Sequence, residues 1–213
     1  MRSWKAVKSF TDGLNSRPPR TQPYFELVVV GTSLGGLSAL ELLLKKLPVT
    51  FPAAIAIVQH RHKDSDTSLS QFLQSCSVLP LKDAEDKEAI VPGQVYLAPA
   101  DYHLLVEDVG RFALSTEMPV SYARPSIDVL FESAADAYGA RGIGVILTGS
   151  GRDGAQGLAR IKARGGLAIV QDPKTSESRM MPEAAIATTA VDWILPLADI
   201  APRLIHLCQP VIR

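Results

Sequence analysis

Short apolar runs that alternate with helical patterns are the feature that most constrains the fold of this chain. Runs such as LVVVG at 27–31 and GVIL at 144–147 are apolar at consecutive positions, which is typical of strands buried on both faces. Strands of this kind, alternating with helices, form a parallel sheet that helices cover on both sides. The pattern therefore predicts an α/β protein with a doubly wound, mostly parallel sheet, helices on both faces and an antiparallel hairpin insertion.

The same patterns give the expected positions of the elements. The predicted strands lie at 26–30, 54–59, 93–100, 143–148 and 167–171, with a hairpin over 102–115 that turns at 108–110. The predicted helices lie at 35–46, 67–75, 126–138, 153–164, 182–188 and 197–208. In such a sheet ligands bind at the carboxyl ends of the strands, where the strand order reverses. Polar residues directly after strands are therefore the candidates for chemistry.

Length and composition exclude several classes of protein. A chain of 213 residues suffices for one α/β domain, which we place at 25–213, after an extended, proline-containing lead-in at 1–24. Its 22 basic and 22 acidic residues give no net charge, so a nucleic-acid partner is not expected. Two distant cysteines predict neither a disulfide framework nor a zinc site, and no apolar run is long enough to cross a bilayer. We expect a soluble, cytoplasmic protein without membrane insertion.

The turn Gly31-Thr-Ser-Leu-Gly-Gly36 joins the first strand to the first helix. A glycine-rich turn at this position either binds a phosphate or exposes a reactive serine. A dinucleotide-binding turn needs glycine where this chain has Ser33, and an acidic residue where it has Gln59-His60. A phosphate-binding loop needs Gly-Lys-Ser/Thr, which this turn lacks. The turn instead matches Gly-x-Ser-x-Gly between a strand and a helix, with glycines that permit a tight turn and keep bulk away from the hydroxyl.

Two further polar residues at strand ends complete a serine-hydrolase set. Ser33 is the candidate nucleophile; alternatively it caps the N-terminus of the helix. His60 is the candidate base, because the end of the second strand lies beside the end of the first; alternatively it is a surface histidine. Asp153, after another apolar strand, is the candidate that orients the imidazole; alternatively it is a helix N-cap. The weaker candidates are His62, His103, His206, Asp101, Asp128 and Asp172.

The order Ser…His…Asp, with the serine after the first strand, differs from that of the α/β-hydrolases. The chain resembles instead the catalytic domain of CheB-type chemotaxis protein-glutamate methylesterases, in five blocks between Val28 and about Leu204. The blocks are VVVGTSLGGLSAL, AIAIVQH, VPGQVYLAPADYHLLVE, RPSIDVLFESAADAYGARGIGVILTGSGRDGAQGL and GGLAIVQDP…MPEAAIAT.

The resemblance implies that Ser33 is the nucleophile, His60 the general base and Asp153 the orienting acid. It implies hydrolysis of γ-methyl esters of glutamates on the cytoplasmic helices of chemoreceptors, often with deamidation of receptor glutamines. The mechanism requires no metal or cofactor.

The chain differs from the typical family pattern in three places. Residues 1–24 are too few for the phosphorylatable receiver domain, so we expect no phosphorylation control within this chain, and a separate receiver-domain protein is a candidate partner. Leu34 stands where threonine is expected, and Ser150 where methionine is expected. The segment HRHKDSDTS at 60–68 departs from the family's usual residues, and this segment bears on substrate docking.

The remaining candidate site residues are assigned by their position alone. Amides at Leu34 and around Ser150, Gly151 and Arg152 are candidate oxyanion donors, and Arg152 and Arg124 are candidates for steering an acidic receptor helix. Two alternatives stay open: a stand-alone serine hydrolase for another ester or protein substrate, and a catalytically silent interaction module. Nucleotide binding is the weakest of the possible functions, because Ser33 stands where the dinucleotide-binding pattern needs a glycine and Gln59-His60 stands where it needs an acidic residue.

Overall fold

The computed structural model describes residues 25–64, 68–108 and 110–209. The predicted lead-in at 1–24 lies outside these ranges, as do Thr67 at the start of one predicted helix and Val109 in the predicted hairpin turn. Within the described ranges no helix combines the length and apolar character that crossing a bilayer requires.

A seven-stranded parallel sheet forms the centre of the fold. Its strands are β1 (Leu27–Thr32), β2 (Ala54–Gln59), β3 (Leu81–Asp83), β4 (Val95–Leu97), β7 (Gly142–Ile146), β8 (Leu167–Gln171) and β9 (Trp193–Leu195). They lie in the order β3-β4-β2-β1-β7-β8-β9. A separate antiparallel hairpin consists of β5 (His103–Asp108) and β6 (Arg111–Ser115).

Alternate residues of the central strands pack into two hydrophobic cores, one on each face of the sheet. On one face, Val28 and Val30 pack with α1 (Gly36–Lys45), α2 (Ser68–Cys76) and α6 (Leu197–Cys208). On the other face, Leu27 and Val29 pack with the hairpin and with α3 (Ile127–Tyr138), α4 (Ala155–Ala163) and α5 (Met180–Thr188). The period of two residues along each strand thus divides its side chains between the two cores.

The predicted fold class is confirmed, and so is the hairpin. Strands β2 and β8 and helix α6 have the predicted limits, and the other predicted elements differ by a few residues at their ends. Strands β3 and β9 were not predicted. Each has three residues and pairs with a single neighbour at an edge of the sheet, so each is too short to show a period in the sequence.

The strand order reverses at β1. After β1 the chain builds one half of the sheet with β2, β3 and β4, and it then returns to the other side of β1 with β7. The loops after β2, β1 and β7 therefore meet at one edge of the sheet, where open α/β sheets bind their ligands.

Candidate active site

Ser33 is the first residue after β1, in the turn that precedes helix α1. Its amide donates to the carbonyl of Thr148 (3.1 Å), and its own carbonyl accepts from the amide of Gly36 (2.9 Å). Gly35, with φ of +78°, occupies the N-cap position of α1. The alternative role of Ser33 as the helix cap is therefore wrong, and its half-buried side chain does not cap the helix.

The glycines of this turn were expected to provide space around the Ser33 hydroxyl, but two of them provide space for Ile127 and Glu177 instead. A Cβ on Gly31 would collide with Ile127, and a Cβ on Gly35 would lie 2.7 Å from Glu177. The glycine that makes room for Ser33 is Gly149, after β7, whose Cβ would come within 2.9 Å of the Ser33 Cβ. The predicted tight turn is thus present, but the clearance around the serine comes from a neighbouring loop.

Strand register places His60 beside Ser33. Thr32 at the end of β1 pairs with Gln59 at the end of β2, so Ser33 and His60 are the next residues on two adjacent strands. The amide of His60 continues the ladder by donating to the Thr32 carbonyl (3.0 Å). Both side chains line an open cleft of about 540 Å³, together with Leu34, Ser150 and Glu177. We call this the serine cleft.

The imidazole of His60 is bound to the carboxylate of Asp153, with 2.7 Å between Nε2 and Oδ2. Asp153 is almost fully buried, at 3% exposure of its side chain, whereas the His60 side chain is 19% exposed. The second ring nitrogen of His60, Nδ1, has no hydrogen-bond partner among the residues that the structure describes. It is thus the nitrogen left for a reacting group in the cleft.

Asp153 also receives three hydrogen bonds from the start of helix α3. Oδ2 accepts from the amide of Ile127 (2.7 Å), while Oδ1 accepts from the amide of Asp128 and the hydroxyl of Ser126 (both 2.9 Å). The N-cap of its own following helix, α4, is Gly154. The alternative in which Asp153 caps that helix is therefore wrong, since its carboxylate satisfies the N-terminus of another one.

These contacts determine the ionisation of Asp153. Burial acts to raise its pKa, but the hydrogen bonds from His60 and from the amides of Asp128 and Ile127 outweigh that effect, so the pKa lies below its ordinary value. An ionised carboxylate is only an acceptor, so the proton in this bond is on Nε2 of His60. Asp153 thereby selects the tautomer in which Nδ1 has a lone pair.

Asp128 is a second buried carboxyl group in the same region. Its Oδ1 accepts from the amide of Gly157 in α4 (2.8 Å). Burial raises its pKa, and the negative charge of Asp153 adds to the shift, so the pKa reaches about 6 although the Gly157 amide opposes it. The sequence reasoning gave Asp128 low weight, because no glycine turn precedes it.

Two side chains that the sequence reasoning missed bind backbone carbonyls at the turn between β1 and α1, which we call the serine turn. Gln59 Nε2 donates to the carbonyls of Ser33 (3.0 Å) and His60 (2.9 Å). Thr148 Oγ1 donates to the carbonyl of Leu34 (2.9 Å). Both are polar residues at the end of a strand, so the rule that singled out His60 and Asp153 would also have found them.

The hydrogen bonds from Gln59 and Thr148 to these carbonyls also orient the amide groups of the turn. In a planar trans peptide the C=O and N–H point in opposite directions, so the N–H groups of Leu34 and Gly35 point away from Gln59 and Thr148. Neither amide has an acceptor among the described residues, and the same holds for the amide of Ser150. The cleft is therefore bordered by unpaired donors of the kind that stabilise an oxyanion.

Comparison with known proteins identifies the family. The family model for the CheB methylesterase domain matches residues 28–204. The chain belongs to the CheB methylesterase family. The crystal structure of the Thermotoga maritima CheB methylesterase catalytic domain superposes with a TM-score of 0.82 at 38% identity, covering 86% of this chain and 98% of that one.

Two relatives show how this CheB-family chain compares in length. A Leptospira interrogans protein is 48% identical over 185 residues, which are 87% of this chain and 96% of the relative. Protein-glutamate methylesterase/protein-glutamine glutaminase 2 of Pseudomonas syringae pv. syringae is 46% identical over 181 residues, which are 85% of this chain but 54% of the relative. The chain thus spans about half the length of the Pseudomonas protein.

The other predicted residues of this CheB-family site lie at different distances from the cleft. Leu34, with 55% of its surface exposed, lines the serine cleft, and so does Ser150. Gly151 and Arg152 are exposed and are not among the residues that line it. Arg124 lies in a neighbouring loop, where its guanidinium is bound to Asp101. Substrate roles for these residues stay predictions.

Proposed function

We propose that this chain is a cytoplasmic protein-glutamate methylesterase that hydrolyses glutamate γ-methyl esters on the cytoplasmic domain of chemoreceptors, and that it also deamidates receptor glutamines. Membership of the CheB methylesterase family supports this activity, and the Pseudomonas syringae relative carries both activities in its name. The observation that carries the proposal is the bond between His60 and the buried Asp153, next to Ser33 on the adjacent strand.

The proposed first step is attack of Ser33 on the ester carbonyl. The hydroxyl proton passes to Nδ1 of His60, because Nε2 is already bound to Asp153, and Ser33 Oγ forms a bond to the carbonyl carbon. Collapse of the tetrahedral intermediate breaks the bond to the methoxy oxygen, which takes the proton from His60 and leaves as methanol. For a glutamine side chain the leaving group is ammonia.

The second step regenerates the enzyme. Water, deprotonated by His60, attacks the acyl-enzyme, and the products are the glutamate side chain and Ser33 with its hydroxyl restored. The charge of Asp153 stabilises the imidazolium that forms in both steps. The unpaired amides of Leu34 and Ser150 are the proposed oxyanion donors, because they border the cleft that Ser33 lines.

Methanol release from methylated receptor membranes tests this proposal. Ser33→Ala is expected to lower the rate by about a thousandfold or more, since the residues of a triad act as a unit. Ser75→Ala, which removes an exposed hydroxyl on α2, is the matched control and is expected to retain the wild-type rate. Release at the native rate by Ser33→Ala would show that the assignment of the nucleophile is wrong.

Labelling with a fluorophosphonate separates the proposed enzyme from the two alternatives. Labelling at Ser33 that depends on His60 is expected, and its absence would favour the silent interaction module. Labelling together with hydrolysis of generic esters, but without methanol release from receptors, would favour a serine hydrolase with another substrate. Methanol release from methylated receptor membranes, measured with and without a phosphorylated receiver-domain protein, tests that candidate partner.

A further inference from the structure

A second cleft, of about 400 Å³, lies on the other side of His60. We call it the docking cleft. One wall is the segment that follows His60, and the other is the 116–125 loop, which connects β6 to α3. Because His60 lines both clefts, the docking cleft is continuous with the serine cleft and is within reach of residues that flank a side chain bound at Ser33.

The tip of the 116–125 loop is a strained two-residue turn. Val120 and Ala123 bond to each other through both backbone amides (3.1 and 2.9 Å), which leaves Ser121 and Tyr122 as the central residues. Both have positive φ, at 51° and 64°. Turns with two positive φ angles favour Asn-Gly or similar pairs, and a bulky aromatic residue in this conformation is an outlier.

The side chain of Tyr122 makes no contact in the described part of the chain that would compensate for this strain. Its side chain is fully exposed, so the ring buries no surface in the fold. Met118 and Val120, on the same loop, are also exposed, at 81% and 39%. Strained residues persist mainly where they have a function, and an exposed aromatic ring gains free energy only when a partner covers it.

The loop is held in place from both sides. The Arg124 guanidinium donates to the carbonyls of Thr116 (2.7 Å) and Glu117 (3.0 Å) as well as to Asp101 (2.5 and 3.0 Å). The buried ring of His103 bonds to the Met118 carbonyl (3.1 Å).

The loop is also connected directly to the Asp153 carboxylate. It leads into Ser126, whose hydroxyl binds Asp153. The backbone that carries Tyr122 is therefore held in place near His60, at the mouth of the docking cleft.

We propose that Tyr122 is a docking residue for the protein substrate, and that its ring packs on the segment flanking the glutamyl side chain that reaches Ser33. The proposal rests on the proposed function and adds the surface that recognises a protein rather than a small ester. A small ester in the serine cleft leaves the ring in water, whereas a polypeptide that continues past His60 covers it.

The test compares the methylated receptor with a small ester, N-acetyl-glutamic acid γ-methyl ester, as substrates. Tyr122→Ala is expected to raise KM for the receptor about tenfold with little change in kcat, and Tyr122→Phe to stay within about twofold of wild type. The kcat/KM for the small ester is expected to be unchanged in both variants. A wild-type KM for the receptor in Tyr122→Ala would overturn the proposal.

The double variant Ser121→Asn/Tyr122→Gly separates docking from folding. Its residues suit positive φ angles, so the melting temperature is expected to equal or exceed that of wild type while KM for the receptor rises as in Tyr122→Ala. A double variant with wild-type KM would overturn the docking role while leaving the proposed function intact. A wild-type protein that hydrolyses the small ester but releases no methanol from the receptor would overturn both.

Discussion

At the scale of single residues, the serine turn depends on side chains that take no part in proton transfer. Thr148, 2% exposed, donates to the Leu34 carbonyl and accepts from the amide of Ser178 (2.9 Å). The donor at the Leu34 carbonyl orients the peptide whose amide belongs to Gly35. Loss of that donor leaves the carbonyl unpaired and lets this peptide rotate, which changes the conformation of the turn that also holds the Leu34 amide, a proposed oxyanion donor.

Thr148→Val is therefore expected to lower kcat for methanol release by about ten- to a hundredfold, with KM within about twofold of wild type. Valine has nearly the shape of threonine but lacks the hydroxyl. Thr148→Ser keeps the hydroxyl and is expected to retain most of the wild-type kcat, so the pair separates the hydrogen bond from packing. Steady-state kinetics on methylated receptor provides both constants, and a wild-type kcat in the valine variant would contradict the role given to Thr148.

The sequence predicted part of the site at this scale. His60 and Asp153 were singled out because they are polar residues after apolar strands, and the bond between them is present. Gln59 and Thr148 also lie at strand ends, but their role was missed because their partners are backbone carbonyls, whose directions depend on the conformation of the turn. Ser126 was missed because its hydroxyl meets Asp153 only once α3 has packed on the sheet.

At the scale of elements, the N-termini of helices α3 and α4 each bind a carboxylate that lies at the start of the other helix. Asp153, just before α4, accepts from the first amides of α3, and Asp128, in the first turn of α3, accepts from the Gly157 amide of α4. Each carboxylate meets the positive end of a helix dipole. The arrangement fixes the two helices to each other at the site, and it places two acidic groups close together in a buried region.

This pairing has a consequence for the pH dependence of stability. The pKa of Asp128 is raised from 3.8 to about 6, so between these values the folded chain keeps a proton that the unfolded chain has lost. Asp128 therefore lowers the free energy of unfolding as the pH rises through this window. Asp128→Asn keeps an oxygen for the Gly157 amide and has no proton to lose.

We expect the stability of Asp128→Asn relative to wild type to increase by roughly 1–2 kcal/mol between pH 4 and pH 7. Urea denaturation of both proteins across this range measures the difference. The contribution of Asp153 largely cancels in the comparison, because that carboxylate is present in both proteins. A difference that does not change with pH would contradict the raised pKa of Asp128.

The predictability of the elements follows from their length and burial. Strand β2, with six buried residues, and helix α6, with an apolar stripe over twelve residues, show their periods clearly and were predicted with the correct limits. Strands β3 and β9 owe their conformation to pairing with β4 and β8, which three residues of sequence do not reveal. Helix α1 begins at Gly36 because Gly35 can adopt positive φ.

At the scale of the whole molecule, the two faces of the sheet have different relations to the site. The face covered by α3, α4 and α5 includes Ile127, whose amide binds Asp153 and whose side chain packs against Gly31 and Gly154. The face covered by α1, α2 and α6 includes Leu204, which lies on α6 and is buried in the core of that face. Both faces stabilise the fold, and through Ile127 the first packs directly against Gly154, next to Asp153.

Matched substitutions on the two faces test this division. Ile127→Ala and Leu204→Ala each remove a side chain with at most 1% exposure, so each is expected to lower the free energy of unfolding by about 2–5 kcal/mol. At a temperature where both variants are fully folded, Leu204→Ala is expected to keep kcat within about twofold of wild type. Ile127→Ala is expected to lower kcat about tenfold, because the start of α3 and the loop at Gly154 shift together and move Asp153 relative to His60. Denaturation curves and kcat measured on the same preparations separate the two effects, and equal kcat in the two variants would show that the site does not depend on which face is repacked.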